Sequence, residues 1–248
     1  MNRFQGRRAL VTGGASGIGR ATAALLAEEE AAVCLLDRRE DLLTAVASEL
    51  GARAVIADVR DPAEVERAVA DAASALDGPP DLLVNAAGIY RFAPALELGV
   101  EEWDEVLDTN LRGSWLVARA VAARLVAAGS GGTVVNISST AGLVADRAEP
   151  SVHYNASKAG VIALTKQLAV EWAPTVRVNA VCPGVIDTPM LRMMDDPTAG
   201  ERYLSEMVPL RRLGTPREVA EAIAFLSAEG SGYVTGVALP VDGGLTAI

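Results

Sequence analysis

The sequence predicts an α/β fold in which helices cover both faces of a seven-stranded parallel sheet, giving three layers. Short apolar runs alternate with longer segments of helical period along the chain. The short runs are almost continuous Val, Leu and Ile, as in strands that are buried on both faces. Right-handed crossovers then produce a doubly wound sheet. No linker or repeat divides the sequence, so we expect residues 1–248 to form one domain.

The predicted strands carry mainly branched apolar side chains. In chain order they are 9–11, 33–36, 54–57, 82–84, 133–137, 176–181 and 237–241. The helices between them have apolar residues three or four positions apart or open at a proline, which is favoured in a first turn. They are predicted at 17–30, 40–50, from 62 onward, 103–127, 152–172 and 216–227.

Residues 189–210 break this alternation. The segment has an apolar start, an Asp-Asp-Pro turn and a second short amphipathic piece. Ligands of such folds bind beyond the carboxyl ends of the strands, and long irregular loops in compact domains are usually functional. We therefore predict a lid over a bound substrate, with a surface helical hairpin of no functional role as the alternative.

Charge and composition exclude several classes of function. A net charge of −10 and a pI near 4.7 argue against binding to nucleic acid or to anionic lipid. The single histidine and the absence of a CxxC pair predict no metal site, and Cys34 and Cys182 fit buried apolar positions. The N-terminal residues lack a signal-peptide pattern, and four glycines interrupt the uncharged stretch 125–145, so we expect a soluble cytoplasmic protein.

A glycine-rich turn joins the first predicted strand to the first helix. Its glycines, Gly13, Gly17 and Gly19, allow backbone N–H groups to approach a pyrophosphate at the helix N-terminus. Asp37 ends the second strand, 18 residues past Gly19. A carboxylate there accepts hydrogen bonds from ribose hydroxyls and repels a 2′-phosphate, which favours NAD over NADP. Arg38 opposes that preference because it could pair with a 2′-phosphate; a helix cap and a solvated charge are the alternative interpretations of these two residues.

Tyr154 and Lys158 lie one turn apart on a predicted helix. A phenol, with a pKa near 10, is a poor proton donor or acceptor at neutral pH. An ammonium group at i+4 favours the phenolate. Such a tyrosine can exchange a proton with an alcohol or ketone while a cofactor exchanges a hydride.

Further segments carry a resemblance to a known family. With the turn Thr12-Gly13-x-x-x-Gly17-x-Gly19 and the Tyr-x-x-x-Lys pair, the chain resembles the single-domain type of the short-chain dehydrogenase/reductase family over essentially its full length. Asn85-Ala86-Ala87-Gly88 is similar to the family's Asn-Asn-Ala-Gly signature, with an alanine in place of one asparagine. The remaining matching segments are Asp58-Val59, Asn110, Pro183-Gly184 with Ile186 and Thr188, Tyr233-Val234-Thr235-Gly236 and Val241-Asp242-Gly243-Gly244.

The resemblance implies a Rossmann-type fold, an NAD(P)-dependent oxidoreductase and a set of site residues. Tyr154 would be the proton donor and acceptor, Lys158 would lower its pKa and bind the nicotinamide ribose, and Ser139 would hydrogen-bond the substrate oxygen. Asn110 would position a water in a proton relay. The implied cofactor contacts are Gly13, Ser16, Gly17, Ile18, Gly19, Asp37, Arg38, Asp58, Val59, Asn85, Ala86, Gly88, Tyr154, Lys158, Pro183, Gly184, Ile186 and Thr188.

One departure from the family concerns the catalytic serine. The interval from Ser139 to Tyr154 is two residues longer than is usual, and we place the extra length in a loop over 144–150 beside the cleft. Ser138 is a rival for the serine role, although side chains alternate along a strand end.

The residues predicted to line the substrate cleft are mostly apolar. They are Tyr90, Phe92, Leu143, Met190, Leu191 and Met194. A medium-sized secondary alcohol or ketone fits such a cleft. The alternatives are an NADPH-dependent 3-oxoacyl-carrier-protein-type reductase, disfavoured by the acidic charge, and a non-catalytic dinucleotide-binding regulatory protein. The family resemblance also implies a homotetramer, formed through the helices at 103–127 and 152–172.

Overall fold

A computed structural model of the chain describes residues 2–145, 150–191 and 196–247. One sheet of seven parallel strands lies at its centre. The strands are β1 (Arg8–Thr12), β2 (Ala32–Asp37), β3 (Arg53–Ile56), β4 (Leu82–Asn85), β5 (Gly132–Ile137), β6 (Val176–Pro183) and β7 (Ala238–Val241). Their order is β3-β2-β1-β4-β5-β6-β7. The order reverses between β1 and β4, and this reversal opens a crevice at their carboxyl ends. The predicted doubly wound fold is confirmed.

Helices cover both faces of the sheet. They are α1 (Gly17–Glu28), α2 (Glu40–Leu50), α3 (Pro62–Ala75), α4 (Val100–Leu107), α5 (Gly113–Ala127), α6 (Val152–Trp172), α7 (Pro197–Met207) and α8 (Pro216–Ser227). The proline starts have clear chemical causes. Asp61 caps α3 by accepting from the backbone of Ala63 and Glu64, and Thr215 and Glu218 form a reciprocal capping box on α8.

Two apolar clusters, one on each face of the sheet, form the core. Leu35 and Leu36 are neighbours on β2, yet they belong to opposite clusters because side chains alternate along a strand. Both are fully buried. Each such leucine contributes about 1.5–3 kcal/mol relative to exposure, so strands with apolar residues on both sides can only occupy the middle layer.

The long helix predicted at 103–127 needs a correction. It starts at Val100 and consists of α4 and α5 joined by a π-helical turn, Asp108–Arg112. Within that turn Asn110 is buried, and Ser114 Oγ donates to the Asn110 carbonyl at 2.7 Å. A π turn is a local change in winding that apolar spacing does not reveal, and such turns are frequent at functional sites.

The predicted lid lies partly outside the described residues, since 192–195 are not among them. Its described portion includes α7, which begins at a cap formed by Asp196 on Thr198 and Ala199. The lid and the single-domain organisation stay predictions. In the described part of the chain, no helix combines the length and the apolar character that crossing a membrane requires.

Candidate active site

A cleft of about 540 Å³ opens at the carboxyl ends of β1, β4, β5 and β6. Every predicted cofactor contact except Asn85 lines it, and so do the predicted catalytic residues Ser139, Tyr154 and Lys158. Asn85 lies beneath the cleft floor. It is buried, and its Nδ2 donates to Ser114 O and to Asn136 Oδ1, at 3.0 and 2.9 Å. Asn85 therefore braces β4 against β5 and α5.

The glycine-rich turn is held tightly against the loop that follows β4. Gly13 has φ +64°, and a Cβ there would lie 2.7 Å from the Ala86 carbonyl oxygen, so only glycine fits. Thr12 Oγ1 accepts hydrogen bonds from the backbone of Ala86 and Ala87, at 3.1 and 3.0 Å. These contacts set one wall of the cleft.

The start of α1 leaves room for an anion. Gly17 has φ +54°, and a Cβ there would meet only the Thr188 side chain, 3.5 Å away on the opposite side of the cleft. A side chain at this position would fill that gap. Backbone N–H groups at a helix N-terminus attract phosphate. The turn therefore fits the pyrophosphate of a dinucleotide.

Lys158 is a buried cation beside the tyrosine. Its Nζ donates to the Ile137 carbonyl oxygen at 2.9 Å and lies 5.5 Å from the centroid of the Tyr154 ring. Burial lowers the pKa of Lys158 to about 8. The side chain is thus mainly charged at neutral pH and favours the phenolate form of its neighbour.

A ring contact and a bond from the neighbouring residue fix the position of Tyr154. The Tyr90 ring meets the Tyr154 ring edge-on, with centroids 5.0 Å apart and planes at 90°. One residue further along α6, Asn155 Nδ2 donates to the Ala141 carbonyl at 2.9 Å. This bond ties the first turn of α6 to the turn that carries Ser139.

The two candidate serines point to different partners. Ser138 is buried, and its Oγ donates to the Lys158 carbonyl oxygen at 2.8 Å. Ser139 Oγ accepts from the backbone N–H of Ala141 at 3.1 Å, which directs the hydroxyl hydrogen elsewhere. This geometry favours Ser139 as the donor to a substrate. The predicted insertion between Ser139 and Tyr154 falls largely on 146–149, outside the described residues.

Asn110 does not line the cleft but shapes its wall. Its Oδ1 accepts from the backbone N–H of Ile89 at 2.8 Å, and its Nδ2 donates to Ile89 O and Ser157 Oγ. A Cβ on Gly88 would lie 3.2 Å from Asn110 Oδ1 and 3.6 Å from Lys158 Nζ. Glycine therefore keeps a small opening between the asparagine and the lysine.

The opposite end of the cleft contains two similar ion pairs. The Arg39 guanidinium donates to both Asp37 oxygens at 3.1 Å, and the Arg60 guanidinium donates to both Asp58 oxygens. Burial raises the pKa of the Asp37 carboxyl, but the Arg39 hydrogen bonds outweigh it and hold that pKa below its usual range. The Arg60 hydrogen bond likewise lowers the pKa of Asp58.

Sequence reasoning missed Arg39 and Arg60. It singled out Arg38, whose nearest carboxylate oxygen is 3.9 Å away on Asp58. The available signal was Asp-x-Arg at a strand's carboxyl end, which occurs twice, as Asp37-Arg38-Arg39 and Asp58-Val59-Arg60. In each, the arginine N–H and guanidinium fold back onto the aspartate two residues earlier.

The substrate end of the cleft is partly as predicted. Tyr90, Met190 and Leu191 line it, whereas the exposed side chains of Phe92 and Leu143 do not. Met194 lies outside the described residues. Lining residues that sequence reasoning missed are Arg91, Val144 and Tyr203.

Comparison with known proteins places the chain among oxidoreductases. A family model described as "Enoyl-(Acyl carrier protein) reductase" matches residues 13–246. The chain is 40% identical to oxidoreductase UcpA of Salmonella typhimurium, over 99% of this chain and 97% of that protein. It is 40% identical to D-threitol dehydrogenase of Mycolicibacterium smegmatis, over 98% of this chain and 94% of that protein.

A solved structure agrees with these relatives. It is the crystal structure of an Agrobacterium tumefaciens protein with bound NADP. The match has a TM-score of 0.89 and a sequence identity of 36%, and it covers 100% of this chain and 99% of that chain. Fold, motif order and relatives thus agree along the whole chain, which belongs to the short-chain dehydrogenase/reductase family.

Proposed function

We propose that the protein interconverts a secondary alcohol and a ketone with a nicotinamide dinucleotide, NAD(H) being preferred. One observation carries this proposal. One cleft contains both a glycine-rich turn that fits a pyrophosphate and the side chains of Ser139, Tyr154 and Lys158. The Lys158 ammonium is 5.5 Å from the centroid of the tyrosine ring.

The cleft supplies contacts for each part of the dinucleotide. The bound cofactor would supply or accept the hydride. We assign the pyrophosphate to Gly13, Ser16, Gly17, Ile18 and Gly19, and the nicotinamide ribose to Lys158. The carboxamide is assigned to Pro183, Gly184, Ile186 and Thr188, and the adenine to Asp58 and Val59.

The protein's own residues handle the proton. Tyr154 gives its proton to the carbonyl oxygen during reduction and takes it back during alcohol oxidation. The charge on Lys158 favours the phenolate that remains. The Ser139 hydroxyl, whose oxygen accepts from Ala141, donates to the substrate oxygen as its charge changes.

We also propose that a water in the opening between Gly88 and Lys158 Nζ connects the lysine to solvent. Asn110 acts there by holding its neighbours in position. Its side chain fixes Ile89 and Ser157 around the opening, so its role is to hold the wall rather than to exchange protons itself.

The cofactor preference rests on Asp37. A buried carboxylate at the end of β2 accepts hydrogen bonds from the ribose hydroxyls and repels a 2′-phosphate, which favours NAD. NADP is the alternative, and the similar structure from Agrobacterium tumefaciens contains it. A secondary alcohol as substrate is supported by the relative that is a D-threitol dehydrogenase.

Two other functions rank lower. The family model's description favours an acyl-carrier substrate, but a net charge of −10 disfavours an acidic carrier. A non-catalytic dinucleotide-binding protein would have no need for a serine, tyrosine and lysine gathered in one cleft.

We further propose a homotetramer. An apolar groove runs between α4, α5 and α6, lined by Leu107, Leu111, Trp115 and Leu164 together with Asp108 and Arg112. Val170, further along α6, is 76% exposed. Both helical regions predicted to form the interface thus carry uncovered apolar surface, and light scattering measures the resulting mass directly.

Absorbance of the reduced nicotinamide tests the function. We expect turnover with secondary alcohols such as polyols in the presence of NAD. The Tyr154→Phe protein should lose about 10³-fold in turnover while still binding the dinucleotide. The matched control is Tyr233→Phe, since Tyr233 is fully exposed. Tight dinucleotide binding without turnover on any substrate would instead support the non-catalytic function.

A further inference from the structure

We propose that Arg39 reduces the factor by which this protein binds NAD more tightly than NADP. Its guanidinium competes with the adenosine ribose for Asp37 and is placed to bind a 2′-phosphate. This inference rests on the dinucleotide site of the proposed function, and it adds a specificity-determining residue to that site.

The Asp37 carboxylate already accepts four hydrogen bonds. Oδ1 accepts from the backbone N–H and from Nε of Arg39, both at 3.1 Å. Oδ2 accepts from Arg39 Nη2 at 3.1 Å and from the Ala15 backbone at 3.4 Å. A carboxylate has about four lone-pair sites, so all are in use. Two belong to backbone groups that the fold fixes, and two belong to the guanidinium.

The adenosine ribose of NAD has two free hydroxyls. Such a ribose can reach Asp37 only if the guanidinium leaves. The Asp37 side chain is 6% exposed, but that of Arg39 is 46% exposed, so only the arginine is free to move. NAD binding then gives up the Arg39 ion pair, and the ribose hydroxyls replace the hydrogen bonds that the guanidinium made to the buried carboxylate.

The adenosine ribose of NADP carries a 2′-phosphate instead. Arg39 Nη2 also donates to Ser16 Oγ at 2.9 Å, which holds the guanidinium at the mouth of the glycine-rich turn. A guanidinium binds phosphate through two parallel hydrogen bonds. It also offsets the Asp37 charge that would repel the phosphate. Arg60 is paired with Asp58, and the recorded ion pair of Arg38 is also to Asp58, at 3.9 Å, whereas Arg39 bonds Asp37 directly.

Calorimetric titration with NADH and NADPH tests this without relying on turnover. In the parent protein we expect NADH to bind more tightly than NADPH. In Arg39→Leu the dissociation constant for NADPH should rise about tenfold. That for NADH should stay the same or fall by up to about threefold, because the competitor for Asp37 is gone. Adenosine 2′-phosphate should likewise lose its ability to displace NADH.

Three further variants keep the test decisive. Arg39→Lys retains the charge without the planar fork and should lie between the parent and Arg39→Leu. Arg20→Leu removes an equally exposed arginine that pairs with Glu49 outside the cleft, and should change neither affinity. Arg38→Leu tests the neighbouring arginine.

Two results would overturn the inference while leaving the proposed function intact. One is an unchanged ratio of NADH to NADPH affinity in both Arg39 variants; the other is a loss of NADPH affinity in Arg38→Leu instead. A parent protein that binds neither dinucleotide would overturn both proposals. Binding of both without turnover would overturn only the catalytic function.

Discussion

The two ends of the cleft are built from different interactions. At the catalytic end, Lys158, Asn110 and Ser157 are buried and bonded to neutral partners: backbone carbonyls, an amide and a hydroxyl. At the adenosine end, Asp37 and Asp58 are each paired with an arginine that is 46% or 36% exposed. Buried hydrogen bonds between fixed groups hold geometry, whereas an arginine that is about half-exposed can give up its carboxylate to a ligand that replaces its hydrogen bonds.

This difference fits the two tasks. Proton transfer needs the phenol and the ammonium within a narrow range of positions. Binding of the adenosine end needs only complementary charge, and a cofactor can supply it in place of an arginine. Substitutions should therefore have large effects at the catalytic end and small effects at the adenosine end.

The largest expected effect tests which serine belongs to the catalytic end. Ser139→Ala should lower turnover by about 10²–10³-fold because it removes a donor to the substrate oxygen. Ser138→Ala should lower the free energy of unfolding by about 1 kcal/mol, through loss of the bond to Lys158 O, and change turnover by less than about tenfold. Steady-state kinetics and chemical denaturation of both proteins check this; equal losses of turnover would contradict the assignment of Ser139.

The next effect uses the buried charge of Lys158. Its pKa is lowered from 10.5 to about 8, so between these values the unfolded chain holds a proton that the folded protein has released. Lys158 should therefore contribute a rise of about 3 kcal/mol in the free energy of unfolding across this window, measured as the difference between the parent protein and Lys158→Met. In Lys158→Met that rise should be absent. The buried thiols of Cys34 and Cys182, whose pKa values are raised, act in the opposite direction in both proteins.

Denaturation across that pH range, without dinucleotide, checks the prediction. Lys166→Met is the matched control, because Lys166 is an exposed lysine on the same helix. It should retain the rise. A pH dependence that is the same in the parent protein and in Lys158→Met between pH 8 and 10.5 would show that Lys158 is not the buried cation described here.

A smaller effect is expected at Ser157. Ser157→Ala removes the hydroxyl that accepts from Asn110 Nδ2, while the bond from Nδ2 to Ile89 O remains. The free energy of unfolding should fall by about 1–2 kcal/mol. Ser74→Ala, on the exposed side of α3, should change it by less than about 0.5 kcal/mol. Similar values for the two variants would argue against a tightly bonded catalytic end.

The smallest effect is expected at the adenosine end. Arg60→Leu breaks the ion pair with Asp58, and the free energy of unfolding should change by less than about 1 kcal/mol. The change should shrink further as salt is added. Denaturation at low and high ionic strength measures it. A loss of several kcal/mol that is independent of salt would remove the contrast between the two ends.

The sequence predicted those parts of the site that depend on local spacing. The glycine-rich turn, Asp37 and the pair Tyr154 and Lys158 are each recognisable within a few residues, and all line the cleft. The doubly wound parallel sheet follows from the alternation of apolar runs and helices. These features need no knowledge of the rest of the chain.

Other parts could not be read from spacing. Asn85 was predicted as a cofactor contact, yet its side chain lies below the cleft, bonded to β5 and α5, since one position on a strand decides the face. Arg39 was passed over for Arg38 because the direction of a flexible arginine depends on its backbone turn. The winding of the helix around Asn110 left no trace in the apolar pattern.

The π turn at Asp108–Arg112 has a consequence for shortening the chain. A π turn is a single wider turn inside an α-helix and holds one residue more than an α turn, so removal of one residue here could restore regular α winding while α4 and α5 keep their directions. The loss would fall on the turn itself, where the Asn110 amide would give up its bonds to Ile89 and Ser157. Such a deletion should therefore disturb the catalytic end more than the fold.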